Sequence, residues 1–238
     1  HFQNHKIKVI NKGNIRRKFR MQIDKDTQTL INERIKNNAP PLESFSPQEL
    51  RALRAKMAET PEKLRVYISY VEDVTLKGAL GSITVRKYFN ENSDTLINQK
   101  QPLIIYFHGG GFVMGDLESH DLVCRHLCKQ TNATIIAVDY KLAPEHKFPA
   151  AITDTLDAIT EIISRADEFN IDQNKVILCG DSAGGALAAV GTIMSRDKLI
   201  PKVHGQILVY PWVDMTMCRR SMDIDLEGMI LNKKTIEY

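Results

Sequence analysis

The chain comprises 238 residues with a mass of 27.0 kDa, enough to bury one sizeable core, so we expect a single domain. It carries 32 Lys and Arg against 29 Asp and Glu, and the formal net charge of +3 argues against binding to nucleic acid or to an anionic membrane surface. No run of about 18 apolar residues occurs, so we expect no stable membrane insertion. The four cysteines, in a chain with no visible secretory signal, are interpreted as reduced thiols of a cytoplasmic protein.

Residues 1–20 form a basic tail with seven Lys and Arg residues and no acidic residue, which leaves the rest of the chain mildly acidic. A basic arm for nucleic acid is one interpretation of such a tail. We favour an upstream or artificially added segment, because the chain opens with His1 and Met21 begins a segment that resembles a natural start. The domain is therefore assigned to residues 21–238.

Residues 21–61 are predicted to hold two short amphipathic helices. Ser46 is a typical N-cap, Pro47 suits the first helical position, and Glu49 completes a capping box, so the second helix begins here. Each helix has a predicted buried face of three apolar residues: Leu30, Ile31 and Ile35 in the first, Leu50, Leu53 and Met57 in the second. The pair is either a scaffold decoration or a lid over an active site, and the sequence leaves both open.

Residues 62–212 have the pattern of a sheet core. Segments 66–74 and 80–89 predict an antiparallel pair of strands at a sheet edge, joined near Gly78. Four continuous apolar runs follow, at residues 103–107, 134–138, 176–179 and 207–210, and three helical segments separate them, at 119–130, 150–169 and 183–196. This alternation is typical of a doubly wound α/β fold, a mostly parallel sheet covered on both faces, whose ligand site lies beyond the carboxyl ends of the strands.

The sequence Gly-Asp-Ser-Ala-Gly at residues 180–184 has the pattern of a nucleophile elbow, a sharp turn between a strand and a helix with a serine at its apex. Such a turn leaves no room for a Cβ at the flanking glycines, and its strain presents the Ser182 Oγ above the sheet edge. Ser182 is therefore the predicted nucleophile. The N–H of Ala183, at the start of the helix, is predicted to bind an oxyanion.

A second motif, His-Gly-Gly-Gly at residues 108–111, follows the apolar run 103–107. Its glycines let backbone N–H groups approach a reacting atom closely, so we predict that Gly110 and Gly111 donate to the oxyanion together with Ala183. The two motifs thus predict acyl transfer. A dinucleotide site is excluded because Met114 occupies the last glycine position of G-x-G-x-x-G, and a phosphate loop because no G-K-[ST] follows a glycine cluster.

Further motifs make the pattern specific. They are His-Gly-Gly-Gly-Phe at 108–112, Asp-Tyr-Lys-Leu-Ala-Pro-Glu at 139–145, Phe-Pro-Ala-Ala at 148–151, Gly-Asp-Ser-Ala-Gly-Gly at 180–185 and Tyr-Pro at 210–211. Together they resemble the hormone-sensitive-lipase-like esterases of the α/β-hydrolase fold, over about residues 21–238. Lys141 stands where that family usually has an arginine.

The resemblance implies hydrolysis of carboxylic esters with short or medium acyl chains, which are small-molecule substrates, without a cofactor or a metal. It also implies that residues 21–61 and 213–238 belong to a cap over the sheet core. The Leu-Ala-Pro-Glu segment at 142–145 would brace the elbow. A homodimer is left open.

The chain departs from the family in its catalytic base. After Ser182 its only histidine is His204, which precedes the predicted strand 207–210 and so lies roughly 20 Å from the serine end of the sheet. His108 belongs to the oxyanion loop, and Asp214 is a weak candidate for the acid. We therefore expect the acid and the histidine of the triad beyond Tyr238, with the last strands of the sheet missing from this chain.

A catalytically dead, receptor-like protein of the same fold is the alternative. The plant gibberellin receptors resemble this family, lack the catalytic histidine and bind a small ligand where the esterases bind substrate. A histidine after the last strand of the complete protein would favour the enzyme, and another residue there would favour the receptor.

Removal of residues 1–20 is expected to leave the thermal stability unchanged, because this segment has no apolar periodicity to bury and carries seven like charges. A chain that starts at Met21 should have the same melting temperature as the longer chain when both are followed by circular dichroism. A decrease of several degrees would show that the segment belongs to the fold.

Overall fold

The computed structural model describes residues 23–58, 64–91, 100–219 and 228–237, and the basic tail predicted at residues 1–20 lies outside them. The chain divides into two compact units. The described part of the smaller unit consists of residues 23–40 and 228–229, and the larger unit contains the other described residues.

The smaller unit contains the first helix, α1, Lys25–Lys36. Asp24 caps its N-terminus, because the carboxylate accepts hydrogen bonds from the backbone N–H groups of Asp26 and Thr27, both at 3.0 Å. These bonds satisfy two of the donors that the first turn of a helix cannot pair internally. The helix therefore begins with a side-chain cap.

The buried face of α1 is narrower than predicted. Ile31 is buried, but Leu30 and Ile35 are exposed, so the prediction is wrong for these two residues. Gly228 lies directly against the helix, since a Cβ built there would be 2.9 Å from the carbonyl oxygen of Ile31. Apolar spacing identifies residues on one side of a helix, whereas the packing partner decides which of them are covered.

The larger unit begins with a short 3-10 helix, Leu42–Ser44, and the helix α2, Pro47–Ala58. The predicted capping box is confirmed. The N–H of Ser46 donates to the Glu49 carboxylate at 2.7 Å, and the N–H of Glu49 donates to the Ser46 Oγ at 3.3 Å. The start of α2 is thus fixed by two reciprocal hydrogen bonds, as the sequence predicts.

The predicted buried face of α2 is only partly correct. Leu50 is buried, whereas Leu53 and Met57 are 39% and 69% exposed. Leu50 is followed by Arg51, whose guanidinium donates to the carbonyl oxygens of Val113 and Ala143, in two loops of the sheet core. The helix is therefore attached by one residue of the apolar stripe, Leu50, and by the polar residue next to it.

Among the described residues, six strands form one sheet in the larger unit. They are β1 Tyr70–Gly78, β2 Gly81–Phe89, β3 Gln101–Phe107, β4 Thr134–Asp139, β5 Ile171–Asp181 and β6 Gly205–Val209. Their order across the sheet is β1-β2-β4-β3-β5-β6. β1 pairs antiparallel with β2 at one edge, β2 pairs antiparallel with β4, and β3 to β6 run parallel. The predicted antiparallel edge pair and parallel core are confirmed.

Helices cover both faces of this sheet. They are α3 Asp121–Thr131, α4 Ala150–Ser164 and α5 Ala183–Arg196. A further short helix, α6 Lys233–Glu237, follows later in the chain. One apolar core includes side chains of α4 and α5, and a second core on the other face includes Cys124 and Cys128 of α3. None of the helices in the described ranges has the length and apolar character that a membrane crossing requires.

Helix α4 ends at Ser164 rather than at residue 169 as predicted. The chain turns there, and the N–H of Ile171 donates to the carbonyl oxygen of Ala166 at 2.9 Å. Phe169 is nevertheless buried, with the Arg165 guanidinium 4.9 Å from the centre of its ring. Phe169 continues the apolar spacing of α4 beyond the end of the helix. For this reason the sequence predicts a helix that extends to residue 169.

The strands β3 and β5 end side by side, because they run parallel and Phe107 pairs with Gly180. The loop that starts at His108 and the turn at Ser182 therefore leave the same edge of the sheet. This is the carboxyl edge, where parallel α/β sheets bind their ligands. The His-Gly-Gly-Gly motif and the Gly-Asp-Ser-Ala-Gly motif meet there.

The packing of α5 on the end of β3 should not tolerate a side chain at Gly184. A Cβ there would lie 2.0 Å from the carbonyl oxygen of Phe107 and 2.5 Å from that of His108, so the backbone must shift. We expect Gly184→Ala to lower the free energy of unfolding by about 1–3 kcal/mol, although alanine is the better helix former.

Gly205→Ala is the matched control, because a Cβ there meets only the Ile177 Cγ1, at 3.9 Å. Its change should stay within about 0.5 kcal/mol. Urea unfolding at equilibrium measures both variants, and equal midpoints would contradict the close approach.

Candidate active site

Ser182 lies at the sharp turn between β5 and α5, with a φ of 51° and a ψ of −116°. Such a conformation is strained for a residue with a side chain and costs on the order of 1–3 kcal/mol, so its neighbours must hold it. The Ser182 N–H donates to the carbonyl oxygen of Val209 at 2.9 Å, and its own carbonyl oxygen accepts from the Trp212 N–H at 3.0 Å. The end of β6 and the residues after it therefore fix the turn.

The glycines of the elbow are required by sterics. A Cβ at Gly180 would lie 2.4 Å from the carbonyl carbon and oxygen of Gly184, and a Cβ at Gly185 would lie 2.9 Å from the Pro211 side chain. Contacts under 3.0 Å force the structure to shift. The start of α5 thus packs against the strand that precedes it and against the segment that follows β6.

The glycine loop after β3 has a backbone that favours glycine. The φ angles of Gly110 and Gly111 are +131° and +63°, and a Cβ at Gly110 would lie 1.9 Å from the carbonyl oxygen of Met114. The N–H groups of Val113 and Met114 donate to the Gly110 carbonyl oxygen at 3.1 and 3.0 Å and close a tight turn. Across the described residues, the N–H groups of Gly110 and Gly111 have no acceptor, so both can donate to a ligand.

Asp181 ties the glycine loop to the elbow. Its Oδ1 accepts a hydrogen bond from the Gly109 N–H at 2.9 Å and another from the Tyr106 hydroxyl at 2.7 Å. The His120 Nε2 lies 3.4 Å from the same oxygen. Asp181, the residue before the serine, therefore holds the glycine loop against the elbow.

The electrostatics at Asp181 favour the charged carboxylate. Burial alone would raise the pKa of Asp181, but hydrogen bonds from His120, Tyr106 and Gly109 outweigh it and lower the pKa below the ordinary value of 3.8. The carboxylate is thus ionised at neutral pH and accepts all of these contacts. Sequence reasoning gave Asp181 no role, since the second position of G-x-S-x-G is free in the motif.

His108 is a buried, neutral residue. Its ring stacks on Tyr140 with centroids 4.3 Å apart, and its Nδ1 lies 2.9 Å from the carbonyl oxygen of Gly109, so the neutral ring carries its proton on Nδ1. Burial lowers the pKa of His108 to about 4.

The described residues hold no group of three or more His, Cys, Asp or Glu side chains that could bind a metal ion.

The segment after β4 supports the same loop. The Tyr140 hydroxyl donates to the carbonyl oxygen of His108 at 2.7 Å, and the N–H of Ala143 donates to that of Phe112 at 2.8 Å. The resemblance implied that residues 142–145 of this segment brace the elbow. The contacts observed here are with the glycine loop.

Lys141 anchors that segment to α4. Its N–H donates to the buried Asp154 carboxylate at 2.9 Å, and its Nζ lies 3.2 Å from both carboxylate oxygens. The lysine at this family arginine position therefore still forms an ion pair. It does so with a single nitrogen in place of the two-pronged contact that a guanidinium offers.

His204 lies far from Ser182, as predicted. Its N–H donates to the carbonyl oxygen of Val176 at 2.7 Å, and it directly precedes β6, at the edge where the parallel strands begin. Six residues at about 3.3 Å each put it roughly 20 Å from the carboxyl edge. Among the described residues, no hydrogen bond joins a histidine to the Ser182 hydroxyl.

Asp214 lies on the carboxyl side of β6, but its carboxylate is engaged locally. It accepts hydrogen bonds from the Thr216 hydroxyl at 2.6 Å and from the Arg219 Nε at 2.5 Å. The hydrogen bond from Thr216, with that from Arg219, lowers the pKa of Asp214 to about 2. No contact in the described structure links it to a histidine, so nothing assigns it the role of the acid.

An aromatic pair joins the glycine loop to the segment after β6. The rings of Phe112 and Trp212 are 6.1 Å apart at an interplanar angle of 34°. Phe112 directly follows Gly111, and the N–H of Trp212 binds the carbonyl oxygen of Ser182. The pair therefore links the residue after the glycines of the loop to the segment that binds the backbone of Ser182.

A mostly parallel sheet covered by helices, with a serine on a strained turn after one strand and a glycine loop after its neighbour, defines an α/β-hydrolase. Residues 104–238, more than half of the chain, match the alpha/beta hydrolase fold family. The chain belongs to this family, among the hormone-sensitive-lipase-like esterases.

Known proteins of similar sequence and structure agree with this assignment. The carboxylic ester hydrolase LipN of Mycobacterium tuberculosis is 37% identical over 173 residues, which cover 71% of this chain and 45% of that protein. The ethyl acetate hydrolase of Pseudomonas putida is 32% identical over 195 residues, 80% of this chain and 58% of that protein. A hyperthermophilic esterase from the archaeon Pyrobaculum calidifontis superposes with a TM-score of 0.81 at 33% identity, over 91% of this chain and 69% of that one. The chain spans about half the length of the curated relatives it matches.

Asp181→Asn should destabilise the protein most at neutral pH. The folded state lowers the pKa of this carboxyl below 3.8, so its contribution to stability is present above that value and is lost as the pH falls through the lowered pKa. The difference in unfolding free energy between wild type and variant, measured with urea, should therefore shrink between about pH 7 and about pH 3. A difference that stays constant over this range would show that the charge does not stabilise the site.

Proposed function

We propose that the protein to which this chain belongs is a serine carboxylesterase that hydrolyses esters with short or medium acyl chains. The observation that carries the proposal is the strained turn at Ser182, with its φ of 51°, beside the glycine loop that Asp181 ties to it. The relatives support the same class, since those named above are an esterase and two ester hydrolases. None of them has the name of a receptor, which favours the enzyme over the receptor-like alternative.

In the proposed reaction, the Ser182 Oγ attacks the carbonyl carbon of the ester. The carbonyl oxygen becomes an oxyanion, and the N–H groups of Gly110, Gly111 and Ala183 donate to it. Each such donor lowers the barrier by about 3 kcal/mol. A histidine takes the serine proton and returns it to the leaving alcohol, which leaves an acyl-enzyme that water then hydrolyses.

The histidine and the carboxylate of the triad are proposed to lie outside the 238 residues. In this fold they follow the serine in the order Ser, Asp or Glu, His. The only histidine after Ser182 is His204, which lies at the wrong edge of the sheet. The matched region covers only 45% and 58% of two of the curated relatives, so these proteins are longer than the part that this chain matches.

Residues 21–61 and 213–238 are proposed to form the cap. One contact supports a common location for part of these segments. The Thr235 hydroxyl, in α6, donates to the Glu43 carboxylate in the short 3-10 helix at 2.6 Å. This bond lowers the pKa of Glu43 below its ordinary value.

Ser182→Ala in the full-length protein should abolish hydrolysis of a short-chain aryl ester, because the nucleophile is removed. Labelling by a fluorophosphonate probe should disappear as well. The matched control is Ser164→Ala, which removes an exposed hydroxyl whose hydrogen-bond partner among the described residues is the carbonyl oxygen of Glu161 in α4. This variant should keep both the hydrolysis and the labelling. Hydrolysis that survives Ser182→Ala would refute the proposed nucleophile.

Residues 1–238 expressed alone should be nearly inactive and poorly soluble. Without a base Ser182 is a weak nucleophile, and the oxyanion donors alone would give a rate roughly 10³-fold above that in water. The edge strand β6 also exposes Ile207 and Val209, and an apolar strand edge promotes aggregation. Hydrolysis rates of this chain and of the full-length protein make the comparison, and equal rates would mean that a base lies within the 238 residues.

A further inference from the structure

Arg51 of α2 makes contacts that the proposed mechanism does not use. Its Nε donates to the carbonyl oxygen of Val113 at 2.8 Å, and its Nη2 donates to that of Ala143 at 2.8 Å. Its two terminal nitrogens also bind the Glu145 carboxylate, Nη1 at 2.9 Å and Nη2 at 2.7 Å. One guanidinium therefore joins a helix to two separate loops.

Both backbone acceptors belong to the surroundings of the glycine loop. Val113 lies in the turn closed by its own N–H on the Gly110 carbonyl oxygen, and Ala143 donates its N–H to the carbonyl oxygen of Phe112. The contacts thus form a closed circuit, from Val113 through Arg51 to Ala143 and back to Phe112. The turn that carries Gly110 and Gly111 cannot move away from the 143–145 loop without breaking it.

The ion pair between Arg51 and Glu145 contributes little to the stability of these contacts. The side chains of Arg51 and Glu145 are 31% and 44% exposed, and exposed ion pairs contribute little because solvent screens them. A guanidinium offers donors in a rigid fork, so it can serve two carbonyl oxygens and a carboxylate at once. Glu145 orients that fork, and the carbonyl contacts fix the loop.

We propose that Arg51 is a positioning residue of the active site, whose guanidinium fixes the 110–114 turn so that the N–H groups of Gly110 and Gly111 point at the developing oxyanion. This inference rests on the proposed function. Misplacement of reacting groups by about 1 Å can reduce a rate by about 10²-fold. The loss of the Arg51 contacts with the turn is therefore expected to lower the rate of hydrolysis.

A purely structural role would have a different signature. If Arg51 only attached α2, its loss would loosen the amide groups of α2 and leave the glycine turn as it is. If Arg51 fixes the turn, the amides of Val113, Met114 and Ala143 lose protection, since their hydrogen bonds hold the turn and the neighbouring loop together.

Hydrogen exchange by mass spectrometry on the full-length protein separates these roles without any need for activity. In Arg51→Lys, which keeps the charge but loses the fork, and in Arg51→Ala, peptides covering residues 110–114 and 143 should exchange at least about tenfold faster. Glu145→Gln should change this exchange much less, because both carbonyl contacts remain.

Arg165→Lys is the matched control. Arg165 also pairs with a carboxylate, that of Glu168, and also donates to a backbone carbonyl, that of Thr75 at 3.3 Å. It contacts neither the glycine turn nor the 143–145 loop. Exchange at residues 110–114 and the hydrolysis rate should both remain at the wild-type level.

Kinetics test the consequence for catalysis. For Arg51→Lys we expect kcat to fall by about 10- to 100-fold, which does not exceed the effect of removing one oxyanion donor. The KM should change by less than about threefold. Added guanidinium ion should restore part of the kcat of Arg51→Ala, because it can occupy the vacated contacts.

The outcomes are distinguishable. Faster exchange at the turn together with a lower kcat supports the inference. Unchanged exchange at 110–114, or faster exchange with an unchanged kcat, overturns it. If the wild-type protein neither hydrolyses esters nor labels at Ser182, the proposed function fails and the catalytic consequence fails with it, while faster exchange would still establish that Arg51 fixes the loop.

Discussion

The backbone of Ser182 is held in a conformation that a serine does not adopt by itself, and the rest of the site is arranged around this constraint. Its φ of 51° persists because its N–H donates to the carbonyl oxygen of Val209 and its carbonyl oxygen accepts from the Trp212 N–H, directly after the end of β5 at Asp181. Both partners belong to β6 and the segment after it. The position of the proposed nucleophile therefore depends on the pairing of two parallel strands, which lie far apart in sequence.

The glycine loop at 108–114 depends on the same edge of the sheet and is fixed from three directions. The carboxylate of Asp181 binds it from the elbow, the hydroxyl of Tyr140 binds it from the end of β4, and the guanidinium of Arg51 binds it from α2. A loop rich in glycine has little stiffness of its own. Its rigidity comes from these three side chains together with the backbone hydrogen bonds that close the turn at Gly110 and join Phe112 to Ala143.

Much of the architecture could be predicted from the sequence, because alternation and continuous apolar runs report directly how many faces of a strand are buried. The antiparallel edge pair, the parallel core and the capping box of α2 follow from such local patterns. The predictions failed where burial depended on a partner. Leu53 and Met57 have helical spacing but no cover, and Phe169 continues the spacing of α4 although the helix has already ended.

The sequence by itself determined the class of fold and the two motifs, since a strand, a sharp glycine turn and a helix are encoded within a few residues each. Only the tertiary structure decided what holds those motifs together. Asp181 lies within the Gly-Asp-Ser-Ala-Gly-Gly motif and Arg51 lies in no motif, but neither position predicts its contact with the glycine loop, because the partners there are backbone N–H and carbonyl groups, which every residue has. A side chain that binds a distant backbone atom leaves no pattern along the chain, and its role becomes visible only when the strands have brought the two together.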